Sequence, residues 1–307
     1  MTIGVPAYNE RERISSLLLA LVNQVGDNVN EVVVNVSGST DGTKEEVIKV
    51  AQRCRESLAV KLLSRGERMG KAAVLDQILA YAEGDVIVFI DADTLLGERC
   101  IDKITTPFLS NKNLGVVSGN VLSLNYGKGL FSFASRFQRE LHHHVCEYLL
   151  RRNLPPKVNG TFFAVRKKLI KHLPHYVISD DEFISCWAQN QGYAVTYVPD
   201  AVVYTKDPTN LKDYIAKRKR IYEGHILIKR QLNHTVPTAS VRLVLPSFLK
   251  LTSKYWRRMS HIIIMVFMEF ICRVLAIFDV IRGKLPYFYR VESAKFAVKD
   301  YKAWIDS

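Results

Sequence analysis

Four short β-branched runs, separated by stretches of helical periodicity, leave the first ninety residues few ways to fold. The runs are Thr2–Val5, Glu31–Val36, Val60–Leu63 and Asp85–Ile90, with amphipathic stretches at 10–25, 43–57 and 70–82 between them. Such alternation predicts an α/β fold, a mostly parallel sheet with helices on both faces. With 307 residues, 48% hydrophobic and 24% charged, the chain can bury a full core, as one large domain or two ordinary ones. Disorder, a collagen repeat and a disulfide miniprotein are thereby excluded. The five cysteines (54, 100, 146, 186, 272) are scattered, odd in number and without a C-x-x-C pair, so neither a zinc knuckle nor a disulfide framework is expected.

In sheets of this kind ligands gather beyond the carboxyl ends of the strands. The segments there are Pro6-Ala7-Tyr8-Asn9-Glu10, Ser37-Gly38-Ser39-Thr40-Asp41-Gly42-Thr43, Arg65 to Lys71, and Asp91-Ala92-Asp93-Thr94. The last carries the most chemistry. The apolar strand Ile87-Val88-Phe89-Ile90 delivers two carboxylates to one crevice, with Ala92 turned inward. Hard divalent cations take oxygen ligands, and Mg²⁺ is commonly held by one or two carboxylates together with substrate phosphates. The competing reading is a turn or a helix cap.

Four ordered motifs resemble the family-2 glycosyltransferases: Ile3-Gly4-Val5-Pro6-Ala7-Tyr8-Asn9-Glu10, Gly38-Ser39-Thr40-Asp41-Gly42-Thr43, Gly70-Lys71-Ala72-Ala73-Val74-Leu75, and Phe89-Ile90-Asp91-Ala92-Asp93. Downstream, Asn159-Gly160-Thr161-Phe162-Phe163-Ala164-Val165-Arg166, Ser179-Asp180-Asp181-Glu182, and the stretch from Gly192-Tyr193 through Val198-Pro199 to Tyr204 are similar to that family as well. The resemblance covers residues 1 to about 225.

The resemblance implies a GT-A fold, a nucleotide-sugar donor, Mn²⁺ or Mg²⁺ as cofactor, and inversion at the anomeric carbon in one displacement. It places the metal on Asp93, with Asp91 beside it, and the general base on Asp181. Pro6, Ala7, Tyr8 and Glu10 match the loop around the base and ribose, with Ser37 bordering it, and Arg68 and Lys71 fall where they can reach phosphates. Asn159, Gly160, Thr161 and Asp180 match the lining of the sugar and acceptor, and Arg220 is the arginine kept from the motif of processive members. Two departures narrow the expectation. Val36 and Ser37 stand where many relatives carry acidic residues, one of which bonds the pyrimidine. Lys217-Arg218-Lys219-Arg220-Ile221 stands where processive members have Gln-x-x-Arg-Trp, so transfer of a single sugar is expected.

Plainer readings compete at several places. Asp41 before a helix reads first as a cap, and Asp180-Asp181-Glu182 also suits a helix start. Three adjacent histidines, 142 to 144, point around a helix axis and are not expected to close on one ion. Residues 217–220 read most simply as a solvated basic face, and the sequons at Asn35, Asn159 and Asn233 as unmodified.

The formal charge of +13 is concentrated in the last third, where residues 206–307 hold 20 Lys/Arg against 8 Asp/Glu and residues 1–205 hold 23 against 22. Aromatics at Tyr255, Trp256, Tyr287, Phe288 and Tyr289 interleave with the basic residues. From Ser260 to Arg282 a helical wheel puts Arg258, His261, Glu269, Arg273, Asp279 and Arg282 on one half and Ile263, Phe267, Phe270, Ile271, Val274, Ile277, Phe278 and Ile281 on the other. An interfacial helix, a core-facing helix and a membrane span all fit that length; the interfacial placement, with basic residues facing phosphate head groups, leaves the fewest buried charges.

The expected organisation is a GT-A domain over 1–225, its nucleotide-sugar half about 1–115 and acceptor half about 116–225, followed by a basic amphipathic helical tail over 226–307. The N-terminus shows no signal-peptide pattern, which predicts a cytoplasmic protein, peripheral on the inner face of the membrane. The expected partners are a nucleotide sugar, a lipid-linked, polyprenyl phosphate or glycan acceptor, and an anionic membrane surface, with no nucleic acid. Two other functions compete. A sugar-nucleotide pyrophosphorylase would carry a Gly-rich phosphate loop, unlike Pro6-Ala7-Tyr8-Asn9-Glu10, and an inactive membrane-binding scaffold has no need of both Asp93 and Asp181.

Overall fold

A computed structural model describes residues 1–24, 29–127 and 129–284. The strands are β1 (Thr2–Ala7), β2 (Glu31–Ser37), β3 (Val60–Arg65), β4 (Val86–Ile90), β5 (Leu95–Leu96), β6 (Leu114–Ser123), β7 (Phe162–Arg166) and β8 (Ala194–Thr205). The helices are α1 (Arg11–Val22), α2 (Thr43–Arg53), α3 (Lys71–Tyr81), α4 (Cys100–Thr105), α5 (Pro107–Ser110), α6 (Leu130–Leu150), α7 (Asp180–Asn190), α8 (Leu211–Leu232), α9 (Val241–Lys254) and α10 (Met259–Ile281).

The chain divides into two compact units, and their membership does not follow the expected linear order. Among the described residues the first comprises 1–121 and 158–204, and the second 122–157 and 205–284. Residues 122–157 and 205–225 thus group with the tail helices and not with the domain expected over 1–225.

The first unit is built on one sheet of order β3-β2-β1-β4-β7-β6-β8-β5. The parallel arrangement expected from the alternation holds for β3, β2, β1 and β4. Beyond β4 the sheet turns antiparallel, through β4–β7, β7–β6 and β8–β5. This mixed second half has a direct consequence for function. Because β7 runs against β4, with Ile90 opposite Phe162, the residues entering β7 are brought to the carboxyl end of β4. Burial follows the apolar pattern: Ile87, Val88, Phe89 and Ile90 have at most 1% exposure, as suits a strand covered on both faces.

The second unit is helical. Phe133 and Phe137 of α6, Tyr214 of α8, Leu251 of α9 and Ile262, Met265 and Met268 of α10 form its core, and Tyr222 packs with Cys272 and Ala276. Glu269 and Asp279, from the polar half of α10, point toward α8. Glu269 accepts hydrogen bonds from Arg218 Nε (3.0 Å) and Nη2 (2.7 Å), Tyr214 Oη (2.6 Å) and Gln138 Nε2 (2.7 Å), with Tyr222 Oη also against it. Asp279 pairs with Lys219, and Arg273 lies 4.5 Å from the centre of the Tyr222 ring. Lys217 reaches Asp207 Oδ1 at 2.6 Å, and Arg139 grips the same carboxylate with Nε (3.2 Å) and Nη2 (2.9 Å).

Two expectations change here. Residues 217–219 are not a solvated basic face, because the half-buried carboxylates Glu269 and Asp279 of α10 and the buried Asp207 pair with them. The two carboxylates of the polar half of α10 thus face α8, while Arg273 and Arg282 are exposed and much of the apolar half faces outward. Ile263, Phe267 and Phe270 are each 63% exposed and Ile281 68%. Trp256–Ile281 is long and apolar enough to cross a membrane by length and composition. Tyr287, Phe288 and Tyr289 lie outside the described residues.

Candidate active site

The strand ends of the first unit converge on a cluster of acidic residues around one ammonium group. Asp91 follows β4, and its backbone N–H donates to Thr161 O across the β4–β7 ladder at 3.1 Å. Lys71, the first residue of α3, donates to Asp91 Oδ1 at 2.6 Å and to Gly160 O at 2.9 Å, and lies 4.0 Å from Asp180 Oδ2. Lys71 thereby ties the end of β4, the turn entering β7 and the start of α7 together. Asp93 is half-exposed and Ala92 only 3% exposed, so the alternation read from the tripeptide holds.

Asp180 and Asp181 open α7 and have different environments. Asp180 is 4% exposed, whereas Asp181 is half-exposed and accepts the Gly160 N–H on Oδ2 at 2.9 Å. Carboxylates at this position suit the helix dipole, and Asp181 additionally reaches across to the turn that enters β7. That turn is built by Asn159, whose Oδ1 accepts from Thr161 N (3.1 Å), whose C=O accepts from Phe162 N (3.2 Å), and whose own N–H donates to Ser118 Oγ (3.0 Å). Gly160 leaves little room beside Asp181, whose carboxylate would have to shift by a few tenths of an ångström for any larger residue. A Cβ there would lie 3.2 Å from both Cγ and Oδ2 of Asp181.

On the β1–β2 side, Tyr8 and Arg68 meet each other, the guanidinium 4.0 Å from the ring centre. Ser37 does not point away from the protein. Its hydroxyl donates to Glu67 O (2.8 Å) and accepts from Met69 N (2.9 Å), which fixes the loop bearing Arg68. Gly38, at φ +66°, closes against the same loop, since a Cβ would come within 2.6 Å of Arg68 N. Ala7 is buried and Pro6 half-buried at the end of β1, while the Glu10 carboxylate pairs with Arg13 Nε at 2.6 Å. Asp41 ties together the first residues of α2 and α1, accepting from Thr43 Oγ1 (2.5 Å), Thr43 N (3.0 Å) and Arg11 N (3.2 Å). Burial pushes its carboxyl up, but these hydrogen bonds outweigh it and hold Asp41 below the usual carboxylate range. Arg220 is half-buried on α8, in the helical unit.

Two supporting residues escaped the sequence reading. Ser118 lies on β6, far from Asn159 in sequence, and no local pattern links them. Asn9 has φ +55° and bridges to the β2 loop, its N–H to Ser39 Oγ (3.0 Å) and its Oδ1 to Thr40 N (2.8 Å). The tolerance of Asn for the left-handed region is the signal that could have found it. Within the histidine run, two of the three side chains share a carboxylate. His143 and His144 both approach Glu147 Oε2, at 3.6 Å each, because residues three and four apart share a helix face.

Chemically, the cluster offers carboxylate oxygens at two adjoining positions, Asp91 with Asp93 and Asp180 with Asp181. Asp91 and Asp93 could supply oxygen donors to a hard divalent cation. Asp181, half-exposed and oriented by a backbone amide, is placed to accept a proton.

A family model described as "Glycosyltransferase like family 2" matches residues 1–224. Among curated proteins the chain is similar to a probable glycosyltransferase, YdaM, of Bacillus subtilis, with 24% identity over 236 residues, covering 73% of this chain and 55% of the relative. It is also similar to the poly-β-1,6-N-acetyl-D-glucosamine synthase of Staphylococcus aureus, with 23% identity over 260 residues, 83% of this chain and 62% of that one. The chain therefore spans little more than half the length of these relatives. Among solved structures, a mannosyltransferase of Pyrobaculum calidifontis in complex with GDP-Man and Mn²⁺ superposes with a TM-score of 0.59 at 24% identity, covering 93% of this chain and 76% of that chain. The glucosyl-3-phosphoglycerate synthase of Mycobacterium tuberculosis, in complex with Mn²⁺, UDP and phosphoglyceric acid, gives 0.52 at 20% identity, over 75% and 77%. These likenesses bear out the GT-A fold.

Proposed function

The chain belongs to glycosyltransferase family 2, and from that premise we propose that it transfers one sugar, with inversion, from a nucleotide-sugar donor to a lipid-linked acceptor at a membrane surface. The observation that carries the reading is the convergence of Asp91, Gly160, Asp180 and Asp181 about Lys71 and the β7 turn, at the carboxyl end of β4. In the reaction the acceptor oxygen bonds to the anomeric carbon, the bond from that carbon to the diphosphate breaks, and the acceptor proton passes to Asp181. The Gly160 N–H holds the Asp181 carboxylate in one orientation before the acceptor arrives, so little reorganisation is needed.

The donor set fits a hard divalent ion, with Asp93 as its principal ligand because Asp91 already receives the Lys71 ammonium. An ion bound there would offset the negative charge of the diphosphate. Mn²⁺ in the mannosyltransferase and Mn²⁺ or Mg²⁺ in the synthase structures support this assignment. Tyr8 and Arg68 offer a stacked aromatic and cationic surface for the nucleotide, and the turn at 159–161 lines the sugar and acceptor side.

The membrane reading rests on the second unit. Its outward face carries Ile263, Phe267, Phe270, Phe278 and Ile281, flanked by Trp256, Arg257 and Arg282. Such a face suits a helix lying in the interface of an anionic bilayer. A spanning placement would draw in Arg218 and Lys219 of α8, which are bound to Glu269 and Asp279. We place the enzyme on the cytoplasmic face, where nucleotide sugars are made.

A panel of nucleotide sugars, with Mn²⁺ or excess EDTA and a polyprenyl phosphate acceptor, tests the proposal through released nucleoside diphosphate. Release with at least one donor, dependent on Mn²⁺ and on acceptor, is the expected result. Metal-independent release, or none with any donor, would contradict it.

A further inference from the structure

On the first unit, a second group of ligating side chains plays no part in the transfer reaction. Asp76, on α3, accepts the Leu173 N–H on Oδ1 at 2.6 Å. Its other oxygen, Oδ2, lies 2.8 Å from His172 Nδ1 and 3.6 Å from His175 Nε2. One ligand atom from each of the three residues falls within 4.8 Å of the others. Leu173 is fully buried and anchors the segment between the histidines, whose rings stand 5.6 Å apart.

We propose that Asp76, His172 and His175 form a binding site for a divalent transition metal of the zinc type, separate from the Asp91–Asp93 pair. The two donor sets differ in kind. Paired carboxylates favour hard ions such as Mg²⁺ and Mn²⁺, whereas two imidazoles and one carboxylate form the set that Zn²⁺ takes when solvent fills the fourth position. The spacing is close to what the ion needs. Ligand atoms about 2.0–2.2 Å from a tetrahedral zinc lie about 3.3–3.5 Å from one another. The contact between Asp76 and His175 is already near that value, and the 2.8 Å contact to His172 would open by about half an ångström around a bound ion. The Leu173 N–H supplies the outer hydrogen bond that orients the ligating carboxylate.

The histidines are accessible, at 66% and 58% side-chain exposure, so the ion has an open path. Their position gives the site a consequence. His175 stands five residues ahead of Asp180, and a metal joining it to α3 would pin the segment that leads into α7. The inference does not rest on the transfer reading, since it is measured as metal binding.

The test is calorimetric titration of Zn²⁺ into the EDTA-stripped, nucleotide-free full chain, repeated for His172→Ala/His175→Ala, Asp76→Asn and His143→Ala/His144→Ala. The last variant controls for the His143–His144–Glu147 group. The wild type is expected to bind one Zn²⁺ that the first variant loses, Asp76→Asn to bind it at least about tenfold more weakly, and the last to keep it. Zn²⁺ should also raise the melting temperature of the wild type and not that of His172→Ala/His175→Ala. Both histidines are exposed, so this variant should melt with the wild type in EDTA, and it alone decides if Asp76→Asn fails to fold. Unchanged Zn²⁺ affinity and stoichiometry in His172→Ala/His175→Ala, or a loss confined to His143→Ala/His144→Ala, would overturn the proposal.

Discussion

Asp91 and Asp93 stand one residue apart, yet the fold gives them different work. Asp91 is held by Lys71 on one carboxylate oxygen and by its backbone N–H to Thr161, so it is already tied into the scaffold. Asp93 is half-exposed beside it. Asp93→Asn should therefore leave the fold intact and raise the barrier to transfer by more than about 2 kcal/mol, read as kcat in saturating Mn²⁺. Unchanged kcat would remove Asp93 from the metal site. Gly160→Ala tests positioning. The added Cβ, 3.2 Å from Asp181 Cγ, must displace that carboxylate, and kcat should fall about tenfold or more with donor affinity retained. At this scale the sequence was informative where a function is written in consecutive residues, as in Asp91-Ala92-Asp93 or Asn159-Gly160-Thr161. It was silent where partners are distant. Nothing near Ser37 announces that its hydroxyl clamps residues 67 and 69, and nothing near Asp76 announces His172.

The elements of the sheet were legible because strand and helix periods differ, and β1 to β4 fall within a few residues of their expected bounds. The helical unit was harder to read. A wheel shows which half of α10 is polar but not what that half faces, and the answer depends on α8, some fifty residues earlier. Glu269 carries this packing, so Glu269→Ala should destabilise the helical unit by about 2 kcal/mol or more, measured by denaturant unfolding, because the half-buried Arg218 would lose its carboxylate. A loss below about 1 kcal/mol would show that the network is dispensable. Glu223 makes the opposite case. It has 0% exposure, and neither of its carboxyl oxygens has a hydrogen-bond partner among the described residues; burial, reinforced by Asp279 and opposed by Lys219, pushes its carboxyl up from 4.5 to about 7. The folded state therefore holds this proton more tightly than the unfolded chain does. Its contribution to stability is unimpaired below the unfolded value of 4.5, falls as pH rises towards 7, and stays low above that. Glu223→Gln should gain melting temperature over the wild type at pH 8 and much less at pH 5. An equal difference at both pH values would mean that Glu223 does not titrate in this window.

For the whole molecule, the proposed attachment to an anionic bilayer rests on the excess charge of the last third and the exposed apolar residues of α10. Co-sedimentation with anionic liposomes should retain the intact chain and weaken in part with salt, because head-group attraction is screened while apolar contact is not. Phe267→Glu/Phe278→Glu, at positions 63% and 50% exposed, should fold and stay in the supernatant. Equal sedimentation of both proteins would remove the interfacial reading. The fold class was legible at this scale from alternation and motif order. The division into units was not, because 122–157 joins residues beyond 205 through contacts that no sequence pattern announces. In the proposed mechanism Asp181 acts on the acceptor and the Asp91–Asp93 corner on the donor. The most direct test pairs donor-binding calorimetry with turnover for Asp181→Asn in Mn²⁺. Donor affinity within about twofold of the wild type, together with transfer lowered at least about a hundredfold, is the predicted result; loss of donor binding together with transfer, or retention of both, would contradict it.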